Sequence, residues 1–293
     1  MGITQKLARR LPRRLRRELG ALRRRARSLP SRTSRQKQRL LADPSLTARE
    51  RELLDAASSA IFFDDGMYTG DGAHYYRVGL SAIRCIDAAL DAAGFSDVRR
   101  VLDLPSGGGR VLRFLVRRFP AAKVTACDIQ RDAVAFCAKT FGAVPAYSTP
   151  DFDELSLGAR FDLIWCGSLV THLDAAPIRS LLEFFKRHLA PAGLLVFTTM
   201  GDYVARRLPT REFDYDLTDD QIPTVTAEYA RAGFAFSDYP PGGYDVVSSC
   251  GVTLTSPAWV RDEVRRIGGL REVYFAERGW DDHQDVFGFV WDE

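Results

Sequence analysis

With 293 residues, 46% of them hydrophobic and 27% charged, the chain has the balance of an ordinary folded protein, long enough for one full α/β domain with additions. The net charge of +3 conceals a division: residues 1–40 hold fifteen Lys or Arg against one Glu, so the remainder is net acidic and the basic surface is confined to the start. No apolar run approaches the roughly 18 residues of a membrane span, no apolar segment of a secretory signal follows the arginines, and the five cysteines are scattered without metal-ligand spacing, as expected for reduced thiols in the cytoplasm.

Residues 1–28 set Ile3, Leu7, Leu11, Leu15, Leu19 and Leu22 three or four positions apart among arginines. This is either a flexible basic arm or a helix lying on an anionic membrane surface, which would place the protein at the inner face of a membrane. RNA attraction and targeting are further options. Residues 28–45, polar and bearing Pro, Ser and Arg, read as a linker, so 1–45 make an arm and linker. An N-terminal helical cap is expected over 46–97. Thr47 and Glu50 make a capping box for a helix from Ala48 to about Ser58, and AHYYRVGLSAIRCIDAALDAAG predicts a second, ending at Gly94. The loop IFFDDGMYTGDG between them suits a lid or plain packing, and Tyr75 and Tyr76 are the lid candidates.

From Arg100 strands and helices alternate. Strands are expected at 100–104, 123–128, about 144–148, FDLIWCGS and LLVFTT, with helices at 110–119, 131–141 and 175–189 between them. This alternation predicts an α/β fold, a doubly wound Rossmann-like parallel sheet with crossover helices. A helix at about 257–267 then leads to REVYFAERGW and DVFGFVW, a terminal hairpin that puts an antiparallel strand in the sheet. The main domain is 98–293, and 202–255 is an insertion with strand-like pieces and a Pro240-Pro241-Gly242-Gly243 turn.

The stretch that organises the chain is VLDLPSGGGR, residues 101–110. A buried strand ends near Asp103, a glycine-rich turn follows, and VLRFLVRRF opens a helix whose free N–H groups face the turn. Bare backbone there admits a bulky ligand. The next strand, KVTACD, ends on Asp128, an acid placed to reach the hydroxyls of a ribose. A dinucleotide site usually carries G-x-G-x-x-G without an acid in the strand just before it. Here the order is Asp103-x-Pro105-x-Gly107-x-Gly109, which resembles motif I of the class I S-adenosylmethionine-dependent methyltransferases. Pro105 departs from it, replacing the first glycine.

The resemblance covers residues 98–201 well and 257–293 in outline. It implies a seven-stranded, mostly parallel sheet of order 3-2-1-4-5-7-6 with the last strand reversed, and S-adenosyl-L-methionine as cofactor. Asp103 would orient the turn or meet the methionine ammonium, Gly107 and Gly109 would face the ligand, and Asp128 would take the ribose. Ile129 would lie against the adenine, Asp151 would accept from its amino group, and Phe152 would flank the ring. The backbone of Cys166, Gly167 and Ser168 would pass under the methionine moiety. His172 is the histidine this match puts near the transferred methyl, a candidate general base or simply a helix-capping or exposed residue.

The (Asp/Asn/Ser)-Pro-Pro-aromatic motif of nucleic-acid amino methyltransferases is absent after strand four, and no metal cluster or RNA-binding module is visible. A small-molecule, sugar or lipid-linked acceptor is favoured over nucleic acid, with oxygen as the candidate atom. Two other readings stay open: a nicotinamide oxidoreductase, and a catalytically silent cofactor-binding module that recruits partners to a membrane.

Overall fold

A computed structural model describes residues 24–26, 28–213, 215–240 and 250–292. The leucine stripe of the arm and most of the Pro240–Gly243 turn lie outside the described residues. The strands are β1 (Arg100–Asp103), β2 (Lys123–Asp128), β3 (Val144–Tyr147), β4 (Phe161–Cys166), β5 (Leu189–Thr199), β6 (Phe234–Asp238), β7 (Gly251–Thr255), β8 (Leu270–Trp280) and β9 (Gln284–Trp291). Seven of them form one sheet in the order β3-β2-β1-β4-β5-β9-β8. The first five run parallel, and β9 is antiparallel to both its neighbours. This is the expected order with the last strand reversed, because β6 and β7 pair only with each other.

Alternation along the strands divides the core into two layers. Val101, Val124, Ala126, Leu163 and Val196 face one side. There they are covered by α3 (Gly72–Ala93), α4 (Leu112–Arg118) and α5 (Arg131–Phe141). Leu102, Cys127, Ile164, Leu195 and Phe197 face the other, under α6 (Ala175–His188) and α9 (Pro257–Ile267). Each such side chain contributes about 1.5–3 kcal/mol by leaving water, so a one-residue slip of any central strand would lose several at once. The insertion packs α7 (Asp202–Arg207) and α8 (Gln221–Ala232) on β6 and β7 around its own apolar cluster, with Val204, Ile222, Val225 and Leu254 inside. It is tied to the main sheet where Thr255 N–H donates to Met200 O at 2.8 Å and Thr253 Oγ1 donates to Leu173 O at 2.6 Å.

Two expectations are corrected at the N-terminal side. Residues 28–45 are not simply a linker, because Pro30–Leu41 is a helix, α1. Its inward face is Thr33, Lys37 and Leu40, and the Lys37 Nζ donates to the carbonyls of Asp55 and Ala57 at 2.6 and 2.7 Å. A buried lysine that caps the end of α2 (Ala48–Ala56) takes the place of the apolar stripe that would have announced this helix. The second correction concerns Tyr75 and Tyr76, which are 1% and 0% exposed on α3 and belong to the core rather than to a lid. The capping box is present: Glu50 N–H donates to Thr47 Oγ1 at 3.2 Å, and Thr47 N–H to Glu50 Oε2 at 2.8 Å. Gly94 closes α3 in the left-handed conformation.

Candidate active site

β1 delivers Asp103 to the carboxyl edge of the sheet at 1% exposure, and its Oδ2 has no hydrogen-bond partner. Burial first, and then the charge of Asp128, push this carboxyl well above the usual range, against a smaller pull from Arg110. The chain after it is fastened to both neighbouring strands. Leu104 N–H donates to Trp165 O at 3.1 Å, and Ser106 N–H donates to Cys127 O at 2.9 Å. The Ser106 hydroxyl, 5% exposed, is also unpartnered. Gly107 (φ +47°) points its N–H at Asp128 Oδ2, 2.8 Å away, and a Cβ on it would meet nothing within 4 Å. Gly109 (φ +78°) differs, because a Cβ there would stand 2.5 Å from the Phe141 ring. Gly107 therefore leaves room for a ligand, whereas Gly109 lets α5 pack against the turn.

Asp128 closes β2 at 5% exposure and accepts from Gly107 N–H and, through Oδ1 at 2.9 Å, from Gln130 N–H. Burial raises its pKa, and the backbone donors offset part of that rise. In front of it lies a cleft, open to solvent and walled by Pro105, Ile129, Thr149, Phe152 and Leu169. Phe152 is buried with its ring 6.2 Å from that of Phe184. Asp151 is exposed and outside this wall. Its carboxylate caps its own loop, accepting from the N–H groups of Asp153 and Glu154 at 2.9 and 3.4 Å.

β1 and β4 pair so that Asp103 stands beside Trp165, which brings the ends of both strands to one edge. Cys166 is fully buried, with its thiol pushed up by burial, so only its backbone faces the edge. A Cβ on Gly167 would come within 2.9 Å of Trp280. Ser168 takes a left-handed backbone (φ +65°), donates its N–H to Thr198 Oγ1 at 2.8 Å, and accepts from Gln284 Nε2 at 3.0 Å. His172 lies in the 3₁₀ turn Val170–His172, with Nδ1 3.1 Å from Gly251 O and 3.0 Å from Tyr239 OH. A carbonyl only accepts, so Nδ1 carries the proton, and burial lowers the ring's pKa. The described geometry thus gathers Asp103, Gly107, Asp128, Ile129, Phe152 and the 166–168 backbone along one edge, with Asp151 turned aside.

Other groups at this edge carry no motif. His283, in the β8–β9 turn, hydrogen-bonds Tyr215 and packs its ring 4.8 Å from Phe213 and 5.8 Å from Tyr203. The loop before α3 places Asp65 on the glycine turn, held by Tyr75 OH at 2.5 Å. Arg113, wholly buried, donates to Gly109 O, Ser58 O and Ala60 O at 3.0, 2.8 and 2.8 Å and so fastens that loop to the turn. Among the described residues no group of three or more His, Cys, Asp or Glu could hold a metal ion, and no helix is long and apolar enough to cross a membrane.

A terminal hairpin whose last strand alone is reversed in an otherwise parallel sheet, with an acid before the glycine turn and another at the tip of β2, defines the class I S-adenosylmethionine-dependent methyltransferase fold. Residues 102–195, about a third of the chain, match the family model described as a methyltransferase domain, so the chain carries a methyltransferase domain over that stretch. A malonyl-[acyl-carrier protein] O-methyltransferase of Bacillus cytotoxicus is 32% identical over 111 residues, 37% of this chain and 38% of that protein. A protein of the same description from Priestia megaterium is 26% identical over 110 residues, 37% and 39% of the two chains. The matched stretch therefore spans about two fifths of the length of either relative. A solved S-adenosylmethionine-dependent methyltransferase from Clostridium acetobutylicum shares the fold at 12% identity and a TM-score of 0.50, covering 73% of this chain and 92% of that one.

Proposed function

We propose that this chain transfers a methyl group from S-adenosylmethionine to a small-molecule, sugar or lipid-linked acceptor, with oxygen the first atom to test. The observation that carries the reading is Asp128, which reaches from β2 to the N–H of Gly107 while facing the open cleft. Beside it the orphaned Asp103 Oδ2 lacks a donor that an ammonium would supply. Both fit the cofactor, as does the space over Gly107. Bound there, S-adenosylmethionine supplies an electrophilic methyl group for in-line displacement. Asp128 would hold the ribose, Ile129 and Phe152 the adenine, and Asp103 the amino-acid end, with Asp151 shaping the loop beside them. The backbone of Gly107, Cys166, Gly167 and Ser168 would line the methionine side, with Gly109 supporting the turn.

His172 is the candidate proton acceptor through Nε2, since Nδ1 is committed to Gly251 O. The O-methyltransferase descriptions of the two curated relatives support oxygen as the acceptor atom. The basic arm would add peripheral contact with an anionic membrane, which sedimentation with anionic vesicles at rising salt would test.

Calorimetry with S-adenosylhomocysteine and NADH tests the cofactor assignment: the first should bind and the second should not. Asp128→Ala removes a charge-assisted bond worth about 1.5–3 kcal/mol and should weaken S-adenosylhomocysteine by about 10- to 150-fold. Unchanged affinity in a folded variant would refute the ribose role. Transfer of labelled methyl to an extract then identifies the acceptor class, and with that acceptor His172→Ala should lower kcat by about 10²–10⁴ if the ring takes a proton.

A further inference from the structure

Three carboxylates surround the glycine turn, and only two of them were announced by a motif. Asp103 and Asp128 come from the ends of β1 and β2, and the third, Asp65, comes from the loop between α2 and α3. Asp65 is 9% exposed, and its Oδ2 lies 2.5 Å from where a Cβ on Gly108 would stand, so the carboxylate rests on the bare backbone of the turn. It is aimed there by two donors, Tyr75 OH to Oδ2 at 2.5 Å and Met67 N–H to Oδ1 at 2.9 Å. Tyr75 in turn accepts from Arg113 at 3.2 Å, and Phe62 pins the loop with its ring 5.6 Å from that of Phe136. The charge of Asp65 is close enough to raise the pKa of Asp128.

Among the described residues no cation pairs with any of the three acids, and the Asp103 Oδ2 and Ser106 Oγ are buried without partners. Three acids that cannot converge on a metal ion, set around a turn with two orphaned polar atoms, suit an organic cation lying along the backbone. Asp103 lies beneath the turn with Oδ2 unpartnered, and Asp128 stands at the cleft mouth with its oxygens on the backbone N–H groups of Gly107 and Gln130. The third acid comes from outside the sheet and covers the turn.

We propose that Asp65 is a cofactor-contacting residue that reads the ammonium group at the amino-acid end of the ligand. This rests on the S-adenosylmethionine reading and goes beyond it by giving a recognition role to the segment that precedes the fold. Tyr75 and Arg113 are positioning residues that act through Asp65. The selectivity that follows is specific: ligands bearing the amino group should gain from Asp65, and 5′-methylthioadenosine, which lacks the amino-acid end, should not.

The test is a cycle by calorimetry with four ligand–protein pairs: S-adenosylhomocysteine and its deamino analogue, each on the wild type and on Asp65→Asn. The wild type should prefer the amino-bearing ligand by about tenfold or more, and most of that preference should vanish in Asp65→Asn, as expected for one charge-assisted contact. 5′-methylthioadenosine should bind both proteins within about twofold. An undiminished preference in the variant overturns the proposal, and so does an equal loss of affinity for every ligand. If Asp65→Asn fails to fold, Tyr75→Phe runs the same cycle, and there a full preference for the amino group also overturns it. Failure of the wild type to bind S-adenosylhomocysteine at all would instead refute the cofactor assignment on which the proposal stands.

Discussion

Replacing Arg113 by Met tests how the glycine turn is supported. The side chain is fully buried and its guanidinium makes four hydrogen bonds, to Ser58 O and Ala60 O at 2.8 Å, Gly109 O at 3.0 Å and Tyr75 OH at 3.2 Å. The rings of Tyr75 and Phe141 each lie 5.1 Å from its central carbon, so methionine fills much of the same apolar sleeve. What methionine cannot do is donate. Three carbonyls then lose a charged donor, each loss worth about 1–3 kcal/mol but not additive, because the loop can relax toward water. We expect a net loss of about 3–5 kcal/mol, read as a fall in the urea midpoint with little change in slope. Hydrogen exchange should accelerate most over residues 58–65 and the turn, since these are what the guanidinium joins. Arg117→Met, on the exposed face of the same helix, should change stability by less than about 0.5 kcal/mol. A loss below about 1 kcal/mol for Arg113→Met would show that the loop stands without this residue.

Two further outcomes follow from the same geometry. Gly109→Ala should cost about 2–4 kcal/mol, because its left-handed backbone and the Phe141 ring both oppose a Cβ, whereas Gly107→Ala should cost about 1 kcal/mol and chiefly weaken cofactor binding; equal melting temperatures for the two would contradict this. Asp285, 1% exposed, is pushed up to about 6 by burial, so its contribution to stability is best below the unfolded value of 3.8, declines as pH rises from there to about 6, and then stays level. Asp285→Asn should therefore match the wild type near pH 4 and exceed it by up to about 3 kcal/mol at pH 7, measured by urea unfolding at the two pH values.

The sheet was legible because its strands obey simple rules. Val101, Leu102 and Leu104 announce a strand covered on both faces, and the terminal hairpin is marked by two β-rich runs around Asp281, Asp282 and His283. α1 was not legible, because its buried positions include Thr33 and Lys37, and a lysine whose ammonium is satisfied by two carbonyls leaves no apolar period to detect. Tyr75 and Tyr76 misled for a related reason: an aromatic pair beside a glycine-rich loop gives no sign of which way its helix faces. The placement of Asp103, Gly107 and Asp128 at one edge of the sheet could be read from spacing alone, since one strand–turn–helix unit fixes it. Asp65, Arg113 and His283 could not, because their places depend on how distant segments meet across the edge of the sheet. Asp151 has a local role that its position in the loop does not announce, since its Oδ1 accepts from that loop's own N–H groups.

Holding Asp103 and Asp128 nearly dry has a consequence that the pH dependence of binding can expose. Both carboxyls are shifted upward, Asp103 by burial and then by Asp128, Asp128 by burial against its backbone donors. A raised acid favours its protonated form, so the ligand-free protein keeps protons here that free carboxyls would have lost. An ammonium or a ribose hydroxyl placed against these groups favours the ionised form, and binding must then release protons wherever the ligand-free groups still hold them. Affinity for S-adenosylhomocysteine should accordingly fall as pH drops from neutral into the raised carboxyl range, and calorimetry in buffers of different ionisation enthalpy should report net proton release there. The same linkage makes the ligand a stabiliser, adding about 2.7 kcal/mol at a hundredfold excess over Kd. Asp103→Asn should remove most of the proton release while leaving the unfolding transition cooperative, because the neutral amide no longer has a charge to desolvate. Affinity that stays flat at every pH at which the protein remains folded, with no buffer-dependent heat, would mean that these acids are shielded from the ligand and that the cleft is read by its apolar walls alone.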